Sequence, residues 1–214
     1  MCPWKGVLSR SFCVQSGVRQ GSSMSPGVFN ICINIFITEL KKLNYGCTLN
    51  NVYVGVLLYA DDVILLSASL HGLQKMLNCC EAISSGTLLE FNIKKCSCSV
   101  IGPAASSSIA NLKLWQADVE WSSHFKYLGV TFIARKKLSV DINIIKRKFF
   151  AACNCILGNV KCLEDILKLS LMESFCLPIL QYSIVAFDLS AVQISELNAS
   201  WNSVYRKIFG FNKW

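Results

Sequence analysis

The chain has 214 residues and a mass of 23.8 kDa, and 53% of its residues are hydrophobic, enough to bury a sizeable core and to exclude a disordered polypeptide. A net charge of +8 rests on only 16% charged residues, which excludes a highly charged solvating tail and makes an acidic partner the natural one. Twelve cysteines accompany an N-terminal sequence, MCPWKGVLSR, that lacks the continuous apolar core of a signal peptide, so the expectation is a nuclear or cytoplasmic protein with reduced thiols, not a secreted disulfide scaffold.

Between Gln20 and Thr38 there is no charge, but Gly21, Pro26, Asn30 and Asn34 interrupt the run, and no membrane span is predicted. Ser25 and Pro26 form an N-cap and first-turn pair, after which Phe29, Ile33, Phe36, Leu40 and Leu43 recur at helical spacing. Val28, Cys32 and Ile35 widen that apolar face, which predicts a helix buried against a sheet, with Lys41 and Lys42 at its polar end. Tyr53 to Leu58 and Val63 to Ser67 read as two short buried strands broken by Ala60-Asp61-Asp62, a hairpin with carboxylates at its tip. Leu70, Leu73, Leu77, Cys80 and Ile83 predict a second helix, covering one face of the sheet. Strands are expected over Cys96 to Ile101, around Leu112 to Trp115 and over Tyr127 to Phe132, with a loop over Gly102 to Ser108.

From Asp141 the period becomes helical: Ile142, Ile145, Phe149, Cys153 and Ile156 align, and Gly158 is a suitable stop. Further helices are predicted over Glu164 to Cys176, over Pro178 to Phe187, and from a cap at Ser190, with Gln193 three residues on, to Phe209. Residues 1–134 carry ten basic and seven acidic groups, residues 135–214 eleven and six, so the composition shifts near residue 135. An α+β domain over 1–134 followed by a basic helical domain over 135–214 is the expected organisation.

Asp61 and Asp62 carry the strongest chemical signal. An unpaired buried carboxylate costs several kcal/mol, so two within an apolar run point to a cation or to a turn that exposes them. Adjacent carboxylates suit magnesium, a hard cation that often takes only one or two protein oxygens. Arg135, Lys136, Lys137, Lys146, Arg147 and Lys148, against the single acid Asp141, form the densest basic region, for which phosphates are the natural counterpart. Other features carry less. The pairs Cys96/Cys98 and Cys153/Cys155 lack the spacing of common structural zinc sites, and His71 and His124 have no Cys or carboxylate at ligand spacing. Asn198-Ala199-Ser200 is a formal glycosylation acceptor without a secretory signal to make it relevant.

Four segments in order carry a resemblance. Ser16-Gly17-Val18-Arg19-Gln20-Gly21 precedes Ser25-Pro26 and the first helix. Tyr59-Ala60-Asp61-Asp62, Leu89-Glu90-Phe91-Asn92-Ile93-Lys94-Lys95-Cys96 and Phe125-Lys126-Tyr127-Leu128-Gly129-Val130 follow. Together they resemble the reverse transcriptase domain of non-LTR (LINE-type) retrotransposons, over nearly all of the chain. The basic C-terminal helices, with Trp201-Asn202-Ser203-Val204-Tyr205-Arg206-Lys207-Ile208-Phe209-Gly210, resemble the thumb and connecting region.

The resemblance implies part of a polymerase palm, an antiparallel sheet with covering helices, followed by a helical thumb-like region. It also implies RNA-directed DNA polymerase activity by a two-metal magnesium mechanism, with RNA template, DNA primer and dNTP as partners and no membrane. By that resemblance Asp61 and Asp62 are the metal ligands, Lys95 is a general acid for the leaving pyrophosphate, and Arg19, Gln20, Gly21 and Tyr59 contact nucleotide or template. The resemblance also implies that Tyr127, Leu128 and Gly129 form the hairpin that grips the primer, and the basic residues Arg135, Lys136, Lys137, Lys146, Arg147 and Lys148 are expected to hold the nucleic-acid backbone. The family takes a further metal-binding aspartate from a strand before the glycine-rich motif, preceded by a fingers subdomain. Here no Asp or Glu occurs before Glu39. The chain therefore reads as truncated, with the later half or so of the polymerase domain, and is expected to be inactive alone. The alternatives are a noncatalytic nucleic-acid-binding remnant and a non-functional retroelement-derived product.

Overall fold

The computed structural model describes residues 3–11, 13, 17–87, 89–103 and 109–211. In chain order the elements are β1 (Pro3–Trp4), β2 (Val7–Leu8), α1 (Ser25–Lys42), β3 (Thr48–Leu49), β4 (Val52–Tyr53), β5 (Val56–Tyr59), β6 (Asp62–Leu65) and α2 (Leu70–Gly86). There follow β7 (Ser97–Cys98), β8 (Leu112–Leu114), β9 (Ala117–Trp121), β10 (His124–Tyr127), β11 (Val130–Ala134), β12 (Leu138–Val140), α3 (Ile142–Asn159), α4 (Asp165–Phe175), α5 (Leu177–Ala186) and α6 (Ala191–Phe209). The fold is thus mixed, with small antiparallel sheets and helices, and is compatible with part of a palm. Two compact units form, one from Met1–Cys96 with Ala110–Glu120, the other from Ser97–Ile109 with Trp121–Trp214.

In the first unit α1 begins with Pro26 in its first turn, where the missing N–H costs nothing, and ends with Lys41 and Lys42, cations that favour the negative end of the helix. Its N-cap is Met24 and not Ser25. The Ser25 hydroxyl instead donates to Arg19 O at 2.6 Å, drawn to a carbonyl of the preceding turn. Ile33, Phe36 and Leu40 form its buried seam, packed with Val56 of β5 and with Met76, Cys80 and Ile83 of α2. The wide buried face predicted for this helix is not found: Val28, Cys32 and Ile35 are exposed, and Ile31 is 77% exposed. Phe29, Ile37 and Leu43, half-buried, pack beside that seam, so the stripe Phe29, Ile33, Phe36, Leu40 and Leu43 is the face α1 turns to its core.

The Ser69 hydroxyl caps α2 by accepting from Gly72 N at 3.0 Å. The buried seam of α2 runs through Gly72, Met76, Cys80 and Ile83, so the expected Leu70, Leu73 and Leu77 stripe sits at its edge, with Leu70 exposed. On its other side, Gln74 exchanges hydrogen bonds with the backbone of Lys113, and Glu81 accepts from Trp115 N, which ties α2 to the β8–β9 hairpin.

In the second unit β10, β11 and β12 form an antiparallel meander. Val130, Phe132 and Ala134 alternate inward on β11, as a strand with one buried face requires. Asp141 is buried and caps α3, its carboxylate accepting from Asn143 N at 3.0 Å and Ile144 N at 3.4 Å. A capping box of Ser190 and Gln193 opens α6, and Gly210, at φ +68°, closes it. Phe149, Met172, Cys176, Leu180, Leu197 and Val204 share one core with Val130, Phe132 and Val140.

Several predicted boundaries change. The strand expected over Tyr53 to Leu58 divides into β4 and β5 around Gly55, over which the Tyr53 ring lies so closely that a Cβ would meet it at 2.5 Å. The strand expected over Tyr127 to Phe132 is two strands, because Leu128 and Gly129 both take positive φ and reverse the chain. The one expected over Cys96 to Ile101 contracts to β7, and Gly158 lies within the last turn of α3, whose cap is Val160. Part of the loop predicted over Gly102 to Ser108 lies outside the described residues. Among the described residues no helix is long and apolar enough to cross a membrane.

Candidate functional site

The β5–β6 hairpin pairs Val56 with Leu65, Leu57 with Ile64, Leu58 with Val63 and Tyr59 with Asp62. Directly opposed residues share a face, so the pleat sorts this apolar run into two sets. Val56, Leu58, Val63 and Leu65 pack into the core with Tyr53, α1 and α2. Leu57, Tyr59, Asp62 and Ile64 make the other face, where Leu57 is exposed and Tyr59 is 60% exposed. The strands are therefore covered mainly on one face, and the expectation of two buried strands is corrected to that extent: a run without polar residues does not reveal which of its faces is covered.

Ala60 and Asp61 form the two-residue turn. Ala60 takes φ +51° and Asp61 does not take a positive φ, the pattern of a type II′ turn, whose first central position ordinarily holds glycine. A non-glycine residue in such a sparsely populated conformation costs about 1–3 kcal/mol. Asp61 is thus at the tip and Asp62 is the first residue of β6, rather than both lying in the break. Both are exposed, and among the described residues no ion pair reaches either.

Arg19 to Ser22 form a second tight turn, closed by Ser22 N donating to Arg19 O at 3.3 Å. Gly21 takes φ +85° with open space around its α carbon, so the glycine is required by the backbone and not by a crowded neighbour. Arg19 and Gln20 are exposed just ahead of α1, and Ser16, the first residue of the predicted motif, lies outside the described residues. Lys95 ends a short 3-10 turn over Ile93–Lys95 and is exposed. Phe91 anchors that segment, meeting Phe36 edge-on at 5.5 Å and Trp115 at 6.1 Å. No hydrogen bond or ion pair joins Asp61 or Asp62 to Arg19, Gln20 or Lys95 among the described residues.

In the second unit Leu128 and Gly129 form the two-residue turn between β10 and β11, at φ +45° and +83°. The Tyr182 hydroxyl donates to Leu128 O at 2.9 Å, and Lys148 Nζ reaches Gly129 O at 3.4 Å. Phe125 and Tyr127 pack against the core beneath, with Phe125 stacked on Phe132 at 5.2 Å. Sequence reasoning did not find Tyr182. It lies 54 residues from its partner, in a segment that carries no motif.

The six basic residues divide into separate groups. Ala134 pairs with Leu138, so Arg135, Lys136 and Lys137 are the whole loop of the β11–β12 hairpin, and all three are exposed. Lys146 is held by Glu196 at 2.9 Å, Arg147 Nε donates to Asn143 O at 3.4 Å, and Lys148 reaches the Gly129 turn. Asp141 is committed to the α3 N-terminus and balances none of them.

Asp61 and Asp62 offer hard oxygen donors on an open face, which suits magnesium as a partial ligand set. Among the described residues no group of three or more His, Cys, Asp or Glu converges on one point. Buried thiols are inert: the Cys80 and Cys153 thiols are pushed up to about 12, chiefly by burial. His71 meets Tyr45 edge-on at 5.9 Å, and His124 Nδ1 lies 2.9 Å from the Ser123 hydroxyl.

The sequence pattern of the family described as "Reverse transcriptase (RNA-dependent DNA polymerase)" matches residues 3–132. A retrovirus-related Pol polyprotein from type-1 retrotransposable element R2 of Nasonia vitripennis is 30% identical over 139 residues, 60% of this chain and 13% of that protein. Transposon TX1 uncharacterized 149 kDa protein of Xenopus laevis is 32% identical over 133 residues, 61% of this chain and 10% of that protein. The Pol polyprotein from type-2 retrotransposable element R2DM of Drosophila melanogaster is 30% identical over 144 residues, 60% of this chain and 13% of that protein. The chain thus spans only about a tenth of the length of these relatives.

Proposed function

From the premise that the chain belongs to the reverse transcriptase (RNA-dependent DNA polymerase) family, of non-LTR retrotransposon kind, we propose that its β5–β6 hairpin carries two of the carboxylates of a magnesium-dependent nucleotidyl-transfer site. The observation that carries this reading is the exposure of Asp61 in a strained two-residue turn and of Asp62 directly after it, in a family whose pattern covers both. Asp61 at the tip is the direct metal ligand, with Asp62 in support. When bound, magnesium would neutralise charge on the attacking and leaving oxygens of the transferred phosphoryl group. Gln20 and the Gly21 backbone meet template and nucleotide, Tyr59 packs against the primer end, and Lys95 supplies a proton to pyrophosphate. Residues 1–134 act as part of a palm and 135–214 as a thumb-like region.

Two carboxylates do not complete a two-metal site. The family's further aspartate has no counterpart around Asp61 and Asp62 among the described residues. The chain by itself therefore binds primer–template without extending it. The test is primer extension on an RNA template with a recessed DNA primer, dNTPs and magnesium, beside fluorescence anisotropy on the same substrate. Salt-sensitive binding without extension supports the proposal. Extension that disappears in Asp61→Ala overturns the incompleteness, and absence of binding overturns the polymerase reading as a whole.

The noncatalytic binding reading is favoured by one observation: Arg135, Lys136 and Lys137 make an exposed basic loop to which no acid is paired among the described residues. It predicts the same binding, with affinity indifferent to magnesium and to Asp61.

A further inference from the structure

We infer that Tyr182 is a positioning residue for the primer end, holding the Leu128–Gly129 turn in shape through its hydroxyl. The inference rests on the reading that this hairpin meets a primer. Tyr127 pairs with Val130, so only Leu128 and Gly129 lie in the loop, and both have positive φ, as a type I′ turn requires. Glycine adopts that conformation freely, whereas leucine, bulky at the γ carbon, rarely does. A strained residue of this kind persists where its surroundings over-determine it, and such places cluster at functional contacts.

Two helices constrain the turn. Tyr182 on α5 donates to Leu128 O at 2.9 Å, and Lys148 on α3 reaches Gly129 O at 3.4 Å. The Tyr182 ring lies along the turn, its Cε1 3.7 Å from where a Gly129 Cβ would stand. The helices that carry these groups are themselves fixed, because Leu180 of α5 and Phe149 of α3 are buried in one core with Val130 and Phe132 of β11. Tyr182 is nevertheless 60% exposed, so little of its ring contributes to that core. An exposed aromatic whose polar end is spent on a strained turn is placed to fix the turn, and through it the direction of the backbone that meets a ligand.

The test compares the full chain with Tyr182→Phe, which keeps the ring and removes only the hydroxyl. Anisotropy is measured with a recessed primer–template and with a blunt duplex of the same sequence, beside thermal unfolding. The expected result is about fivefold weaker binding of the recessed end, the size of one neutral hydrogen bond. Blunt-duplex affinity stays unchanged, and the unfolding midpoint falls by no more than the loss of one hydrogen bond accounts for. Equal affinity of variant and wild type for the recessed end overturns the inference, as does parallel loss of both affinities with a lowered midpoint, the signature of a merely structural role. A wild-type chain with no preference for the recessed end instead overturns the primer-end reading on which the inference stands.

Discussion

Tyr59 and Asp62 stand directly opposite each other on the β5–β6 ladder, on the face that α1 and α2 leave uncovered. Because pairing fixes the register, a slip of β6 by one residue against β5 would turn Asp62 and Ile64 inward and Val63 and Leu65 outward. The buried set of Val56, Leu58, Val63 and Leu65 thus fixes where the carboxylate points. Core packing and chemistry are coupled in this hairpin through the strand period alone.

That coupling predicts an unequal response along α1. Phe36 is almost fully buried and contacts Phe91, whereas Ile31 is 77% exposed. Phe36→Ala should destabilise the first unit by about 3–5 kcal/mol, and Ile31→Ser by no more than about 0.5 kcal/mol. Urea unfolding of both variants checks this, and equal losses would show that the α1 face is covered after all.

The basic loop predicts how binding responds to salt. Arg135, Lys136 and Lys137 are exposed at one hairpin tip, while Lys146 is shared with Glu196. Replacing all three loop residues with alanine should reduce the slope of log affinity against log salt by roughly 2–3, about one for each phosphate no longer neutralised. Lys146→Ala should change that slope by less than one. Anisotropy titrations over a range of salt concentrations measure both.

Alkaline stability follows from the buried thiols. Burial raises Cys80 and Cys153 from an ordinary 9.0 to about 12, so the folded protein holds these protons more tightly than the unfolded chain. Their contribution is fully present below pH 9, and between pH 9 and 12 stability falls as the unfolded state alone deprotonates. The melting temperature should decline across that window. The decline should become shallower in Cys80→Ala and Cys153→Ala, read against each variant's own value at pH 8.

The sequence made the helices of the second unit legible because each signal is local: Asp141 and the Ser190–Gln193 pair are caps, and Gly210 is a stop. The motif residues were legible for the same reason, each set lying within a few positions of chain. What could not be read was which apolar surface finds a neighbour. The α1 sequence suggests a broad buried face, yet the core takes Ile33, Phe36 and Leu40 with half-buried Phe29, Ile37 and Leu43, and leaves Val28, Cys32 and Ile35 exposed. Nor could the six basic residues be sorted, since Glu196 and the Gly129 turn reach Lys146 and Lys148 only through the tertiary fold. Tyr182 was hidden likewise, its purpose depending on a carbonyl 54 residues away.

If the tip of the β5–β6 hairpin is a divalent-metal site, a paramagnetic ion should mark it. Paramagnetic broadening of backbone amide signals by manganese, a stand-in for magnesium with the same preference for hard oxygen ligands, tests it most directly. At low manganese, broadening is expected to centre on Ala60, Asp61, Asp62 and Val63 and to disappear in the Asp61→Asn, Asp62→Asn double variant. Broadening centred elsewhere, or the same broadening in the double variant, would contradict it.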